Sequence, residues 1–158
     1  MMDAHSEERL SQVHPELSRR VHQLADMLPF TIVVTQGLRT YAQQDALYQQ
    51  GRTTPGAIVT DAPAGHSMHN FGLAVDVAPT DGFGGIDWNG KDAKWQAILD
   101  KAASCGLAEG AKWRTFPDEP HLYPQEVPAD PDDNFRYLFN EAGLPAVWNE
   151  YLPGETTT

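Results

Sequence analysis

The sequence contains a single cysteine, no long hydrophobic run and no cluster of basic residues. One thiol cannot form an internal disulfide, so the fold needs no oxidising compartment. Cys105 lies in a helical pattern that ends at Gly106, where a small buried core side chain is the expected role. No apolar stretch reaches the ~20 residues that a transmembrane helix needs, so we expect no membrane insertion.

Basic residues are also scarce, since 11 Lys and Arg stand against 22 Asp and Glu and give a net charge of -11. Nucleic acids and anionic membranes bind cationic surfaces, so this balance disfavours both as partners. The first residues, MMDAHSEERLSQ, have neither the basic start nor the apolar core of a signal peptide. We therefore expect the protein to be made and kept in the cytoplasm. A chain of 158 residues is most simply one domain.

Hydrophobic periodicity and turn residues divide the chain into helices and short strands. The predicted helices cover residues 6–28, 41–50 and 91–105 and the segment DPDDNFRYLFNEAG, which ends at Gly143. The predicted strands cover residues 30–37, 73–79 and 121–123. Residues 52–66 form a long irregular loop, and such loops are usually functional or disordered. Because helices and strands do not alternate regularly, we predict an α+β domain with a small antiparallel sheet flanked by helices.

One short stretch, GHSMHNFGLAVDV at residues 65–77, places two histidines and an aspartate around an apolar run. Asp76 lies between Val75 and Val77 in a predicted strand. Side chains alternate along a strand, so Asp76 faces away from the core if the two valines are buried. That opposite face is either plain solvent or a site that holds the carboxylate.

Two histidines and one carboxylate form a ligand set that suits catalytic zinc and leaves a fourth position open. His69 and Asp76 could supply two of these ligands, and His121, from a distant strand, could supply the third. His66 competes with His69 on composition alone. The alternative for each residue taken singly is a solvated or hydrogen-bonded side chain.

Two acids, Asp118 and Glu119, come just before Pro120 and His121. A metal-assisted hydrolase benefits from a carboxylate that takes a proton from water and passes it to the leaving group. On an ideal strand Glu119 shares a face with His121, but the proline makes regular pairing doubtful there. Spacing alone therefore leaves both acids as candidates.

Arg39 follows a predicted strand at the start of a helix, where a guanidinium could bind an anionic substrate group or a developing oxyanion. The alternative is a surface ion pair with one of the many acids. Trp113, Phe116 and Tyr123 flank His121 and are expected to form core or pocket wall.

Four segments resemble a known family. SMHNFGLAVDV resembles the Ser-x-His-x-x-Gly-x-Ala-x-Asp signature of the zinc peptidases that cut bacterial cell-wall peptides. That group includes the D-Ala-D-Ala carboxypeptidases and dipeptidases and the phage L-alanyl-D-glutamate endopeptidases, with lysostaphin-type enzymes and the Hedgehog signalling domain as wider fold relatives. GLRTYAQQDALYQQGR is similar to the family's Gly-x-Arg-Thr helix, KWRTFPDEPH resembles the closing Trp…Asp-x-Pro-His motif, and LSQVHPEL resembles the entry helix. The segments occur in the family's order across residues 6–123.

The resemblance implies a role for each matching position. His69, Asp76 and His121 would bind one zinc ion. Asp118 would act as general base and then as general acid, and Arg39 would bind substrate and stabilise the oxyanion.

The substrate-binding residues in this interpretation are Arg39, Ser67, Trp113 and Tyr123. Asp-x-Pro-His resembles the endopeptidase branch more than the carboxypeptidase branch. The implied activity is therefore hydrolysis of the L-alanyl-D-glutamate bond in the peptidoglycan stem peptide. The segment EGAK before the tryptophan and the LY after the histidine depart from the family pattern at the pocket rim.

A phage lysin of this kind waits in the host cytoplasm and reaches the wall through a holin pore. We expect a monomer in which residues 1–158 form one catalytic domain, with a core at about 6–145 and no separate cell-wall-binding domain. The alternatives are a D-alanyl-D-alanine carboxypeptidase or dipeptidase and a non-catalytic, metal-stabilised wall-binding module.

Overall fold

The computed structural model of the chain describes residues 2–87, 93–110 and 121–154. Within these ranges the α-helices are α1 Ala4–Leu10, α2 Pro15–Met27, α3 Tyr41–Gln49, α4 Ala93–Ala102 and α5 Asp133–Tyr151. The strands are β1 Ile32–Gln36, β2 Val75–Pro79, β3 Leu107–Glu109 and β4 His121–Pro124, and short 3₁₀ turns cover Met68–Phe71 and Ala103–Cys105.

The four strands form one sheet in the order β1-β2-β4-β3, and all neighbouring strands are antiparallel. This confirms the predicted α+β fold with a small antiparallel sheet. Helix α1 covers the edge strand β1: the Val34 N–H donates to the buried Ser6 hydroxyl at 2.9 Å, and Arg9 donates to the Val34 carbonyl at 3.0 Å. The edge is thereby protected from pairing with another strand.

Two hydrophobic cores lie within the described residues. The larger core joins the sheet to α1, α2 and α4, and it buries Val75 and Val77 of β2 completely. The second core packs the Met68–Phe71 turn and the segment before β2 against α5, and it extends to Leu152. No helix in the described part of the chain is long and apolar enough to cross a membrane.

The prediction of one helix over residues 6–28 is wrong at residues 11–14, where α1 ends and α2 has not begun. Pro15 has no N–H to continue a helix and occupies the first position of α2, which suits it. His14 caps α2 by accepting the Glu16 N–H on its ring Nδ1, and the backbone N–H of His14 donates to the Gly72 carbonyl. The break therefore ties α2 to the turn before β2.

Gly143 interrupts helix α5 with φ 74° and ψ -167°, which agrees with the helix end predicted at this residue. A second helical segment then continues to Tyr151, with Pro145 in its first turn. Strand β3 and the Met68–Phe71 turn were not predicted, because three or four residues carry too little periodicity to detect.

Candidate metal centre

His69 is held by a capped 3₁₀ turn. Its backbone N–H donates to the Ser67 hydroxyl at 3.2 Å, and the side chain of Asn70 bonds back to the Ser67 N–H. Gly72 ends the turn at φ 65°, a left-handed conformation that glycine adopts without strain. The turn therefore fixes the backbone from which the His69 ring projects.

Asp76 and His121 face each other across neighbouring strands. Asp76 of β2 is directly paired with His121 of β4, and Val75 is paired with Leu122. Val75 and Leu122 are fully buried, so the alternation of side chains places Asp76 and His121 together on the other face of the sheet.

The three side chains meet in one group. One ligand atom from each of His69, Asp76 and His121 lies within 4.8 Å of the others. Asp76 Oδ1 is 3.1 Å from His69 Nε2 and 3.1 Å from His121 Nδ1. Ligand atoms around a tetrahedral zinc ion are about 3.4 Å apart, given metal–ligand distances of roughly 2.0–2.2 Å. The donor set and its spacing fit a divalent metal ion.

The hydrogen bonds of His69 support the same conclusion. Its Nδ1 is 2.9 Å from the Gly37 carbonyl oxygen, which can only accept. A neutral ring that donates from Nδ1 presents a lone pair at Nε2, and that lone pair faces the Asp76 carboxylate. Two lone pairs at 3.1 Å need a cation between them or a proton on the ring. Metal-binding histidines commonly donate from the other nitrogen to a backbone carbonyl in this way.

The group is buried on one side and open on the other. The His69 side chain is 3% exposed, while Asp76 and His121 are 21% and 24% exposed. Burial raises the pKa of the Asp76 carboxyl, but the nearby His69 and His121 outweigh burial and hold that pKa below its usual value. The carboxylate is therefore charged and available as a ligand at neutral pH.

Arg39 lies beside this group. Its backbone N–H donates to the His69 carbonyl at 2.9 Å, and its guanidinium donates to Gln44 and Gln36. Burial lowers the pKa of the guanidinium, and attraction to the Asp76 carboxylate acts in the opposite direction. The buried Nε has no hydrogen-bond partner among the described residues.

The other residues singled out in the sequence have different positions. Ser67 acts through its hydroxyl as the cap of the 3₁₀ turn. The Tyr123 ring is 6.1 Å from the His121 ring and packs on the second core. His66 is exposed and is not part of the group formed by His69, Asp76 and His121.

Asp118 and Trp113, together with Phe116 and Glu119, lie outside the described residues.

Sequence reasoning missed four residues that shape the centre. Gly37 accepts from the His69 ring, and Gly110 leaves no room for a side chain, because a Cβ there would be 2.6 Å from Cδ2 of His121. Asn70 and Gln44 are buried amides that bond to Arg39. Gln43 and Gln44 are adjacent residues of the same type in α3, so the sequence does not indicate which of them contacts Arg39.

The fold and donor set define an α+β domain with a His–Asp–His group that can hold a metal ion. The family model for phage L-alanyl-D-glutamate peptidase matches residues 1–121. The peptidoglycan L-alanyl-D-glutamate endopeptidase CwlK of Bacillus subtilis is 38% identical over 123 residues, covering 71% of this chain and 73% of that protein. The L-alanyl-D-glutamate peptidase of Escherichia phage T5 is 32% identical over 109 residues, covering 69% of this chain and 74% of the relative.

A solved structure is also similar. The L-Ala D-Glu endopeptidase ChiX of Serratia marcescens aligns with a TM-score of 0.54 and 27% identity, over 78% of this chain and 90% of that one. The chain belongs to the phage L-alanyl-D-glutamate peptidase family.

Proposed function

We propose that this chain is a zinc-dependent endopeptidase that hydrolyses the L-alanyl-D-glutamate bond of peptidoglycan stem peptides. The observation that carries the proposal is the convergence of His69, Asp76 and His121 in a member of this peptidase family. Two relatives that share 32% and 38% identity with the chain are named for this bond.

Zinc is the proposed metal because two imidazoles and one carboxylate are the donor set of many catalytic zinc sites. When bound, the ion supplies Lewis-acid polarisation of a carbonyl group and makes a water molecule more acidic. The chain contributes the fixed donors: the Gly37 carbonyl orients the His69 ring, and strand pairing sets Asp76 opposite His121.

Arg39 and Asp118 are proposed to act on the substrate. The Arg39 guanidinium, partly buried beside the metal-binding group, would bind an anionic substrate group and stabilise the oxyanion that develops at the scissile carbonyl. Asp118, assigned from the family motif, would remove the proton from the attacking water and return it to the departing amine.

Ser67, Trp113 and Tyr123 are proposed to border the substrate groove. Tyr123 is next but one to His121 on β4, and Ser67 supports the turn of His69. At the level of the cell, we propose a monomeric lysin whose catalytic core at about 6–145 reaches the wall through a holin pore. Kinship with a phage T5 peptidase supports that setting.

Digestion of a purified disaccharide-pentapeptide that ends in D-Ala-D-Ala tests the activity. Mass spectrometry should find a disaccharide carrying only L-Ala and a released peptide that begins with D-Glu. Release of the terminal D-Ala would instead identify the carboxypeptidase alternative. Binding of peptidoglycan without any new amino group, in protein that contains metal, would identify the non-catalytic module.

The metal ligands are tested with a matched pair of histidines three residues apart. His69→Ala should lose both the bound zinc, measured by elemental analysis, and the activity. His66→Ala removes an exposed histidine outside the group and should retain both. Equal metal content in the two variants would contradict the ligand assignment.

The choice of general base is tested at the two adjacent acids. Asp118→Asn should abolish turnover with zinc retained, because the charge that accepts the proton is lost while the ligands remain. Glu119→Gln should keep most of the activity. The reverse pattern would assign the base to Glu119.

A further inference from the structure

The side chain of Gln44 joins two features that the proposed mechanism treats separately, the guanidinium of Arg39 and the long loop over residues 52–66. Gln44 is fully buried in helix α3, with no solvent exposure. A buried amide needs all its hydrogen-bonding groups matched, so its partners define what it does.

Chemistry fixes the orientation of this amide. Arg39 Nη1 can only donate, and it is 2.8 Å from Gln44 Oε1. The Ala62 carbonyl can only accept, and it is 2.7 Å from Gln44 Nε2, which is also 3.5 Å from the Thr60 hydroxyl. In a flipped amide, Nε2 would face the donor of Arg39 and Oε1 would face the acceptor of Ala62. The amide therefore has one allowed orientation.

A second set of contacts, made by Arg52, links the loop to α3. Arg52 donates to the carbonyls of Tyr48 and Thr60, pairs with Asp61, and stacks 4.0 Å above the Tyr48 ring. Immediately before Thr60, the loop exposes the apolar side chains of Ile58 and Val59 at 40% and 44%.

From these contacts we infer that Gln44 is a positioning residue that couples the 52–66 loop to Arg39. The amide holds the guanidinium at one end and the loop backbone at the other, so a displacement of the loop moves the group that binds substrate. The loop and Arg39 then order together when a stem peptide binds. This inference rests on the role proposed for Arg39 and adds the loop as part of the same binding unit.

Two substitutions distinguish the contact of Gln44 with Arg39 from its contact with the loop. Gln44→Met has similar volume and removes the side-chain hydrogen bonds to Arg39, Ala62 and Thr60. Gln44→Glu keeps an acceptor for Arg39 but points a carboxylate oxygen at the Ala62 carbonyl, so it breaks the bond to the loop backbone and keeps the bond to Arg39. Asp45→Asn changes the neighbouring exposed residue of α3 and serves as the control.

Kinetics on the purified muropeptide give the first readout. Gln44→Met should lower kcat/KM by about 10- to 100-fold with zinc content unchanged, since small misplacements of a binding group cost rates of this order. In an Arg39→Ala background the same substitution should change kcat/KM less than about 3-fold, because residues that act as a unit are not additive. If Gln44→Met lowers kcat/KM by the same factor with and without Arg39→Ala, the inference is overturned.

Amide hydrogen exchange gives a readout that does not depend on activity. Gln44→Met and Gln44→Glu should speed exchange at residues 57–66 while α2 and α5 keep their protection, and Asp45→Asn should match the wild type. Arg39→Ala should also speed exchange in this loop, because coupling between two sites is reciprocal. Unchanged loop exchange in Gln44→Glu and Arg39→Ala would refute the coupling even if Gln44→Met fails to fold. A protein with no peptidase activity but with these exchange changes would refute the proposed function and leave the coupling in place.

Discussion

Replacement of His14 by asparagine tests the contact between the start of α2 and Leu152, which follows α5. His14 is buried, its Nδ1 accepts the Glu16 N–H at 2.9 Å, and its Nε2 donates to the Leu152 carbonyl at 2.7 Å. Asparagine can still cap α2, since it is among the best N-cap residues, but it is too short to reach Leu152. The variant therefore isolates the bond to the C-terminal segment.

The magnitude follows from what is lost. A buried carbonyl left without its donor costs about 1–3 kcal/mol. The His14 ring also packs against Trp148 with centroids 5.0 Å apart, and such a contact contributes about 0.5–1.5 kcal/mol. The free energy of unfolding should fall by roughly 2–4 kcal/mol, which lowers Tm by about 4–16 °C in a chain of this size.

Chemical denaturation at pH 7.5 measures this loss, and His22→Asn is the control. His22 is on the same helix but is partly exposed and bonds to Ser18 and Glu7. Its replacement should cost less than about 1 kcal/mol. A His14→Asn variant as stable as His22→Asn would refute the assigned role of the Leu152 bond.

The same variant changes the pH dependence of stability. Burial lowers the pKa of His14 below its ordinary 6.5, and the bond to the Leu152 carbonyl, which raises that pKa, offsets only part of this effect. The unfolded chain therefore binds a proton at this residue before the folded chain does, and stability falls as the pH drops below 6.5. The stability gap between wild type and His14→Asn should narrow from pH 7.5 to 5.5, and a constant gap would contradict the mechanism.

Three further outcomes are expected. Ser6→Ala should lower the free energy of unfolding by about 1–3 kcal/mol, because the Val34 N–H loses its acceptor, and a loss under about 0.5 kcal/mol in denaturant titration would contradict this. Gly110→Ala should weaken zinc binding about 10- to 100-fold by displacing the His121 ring; Gly154→Ala, with open space around it, should bind zinc like the wild type in calorimetry. Chelation should lower Tm, and zinc at 100 times its Kd should restore about 2.7 kcal/mol; an unchanged Tm would indicate that the folded protein holds no zinc.

Much of the candidate site was accessible from local sequence. The spacing of His69 and Asp76 in one signature, and the valines on both sides of Asp76, predicted a carboxylate facing away from a buried strand face. The buried Val75 and Val77 confirm that orientation. Composition alone could not choose between His66 and His69, and the family signature favoured His69. The structure places His69, and not His66, in a capped 3₁₀ turn of four residues.

The sequence by itself determined the α+β class, the family signature and the direction of each side chain along its strand, because the alternation of side chains is a local property of the backbone. Only the tertiary structure decided that Asp76 pairs with His121, 45 residues away, and that Gln44 rather than its neighbour contacts Arg39. A shift of one residue in the pairing of β2 and β4 would move His121 to the opposite face of the sheet. That register depends on how the two cores pack, which no short segment of the chain contains.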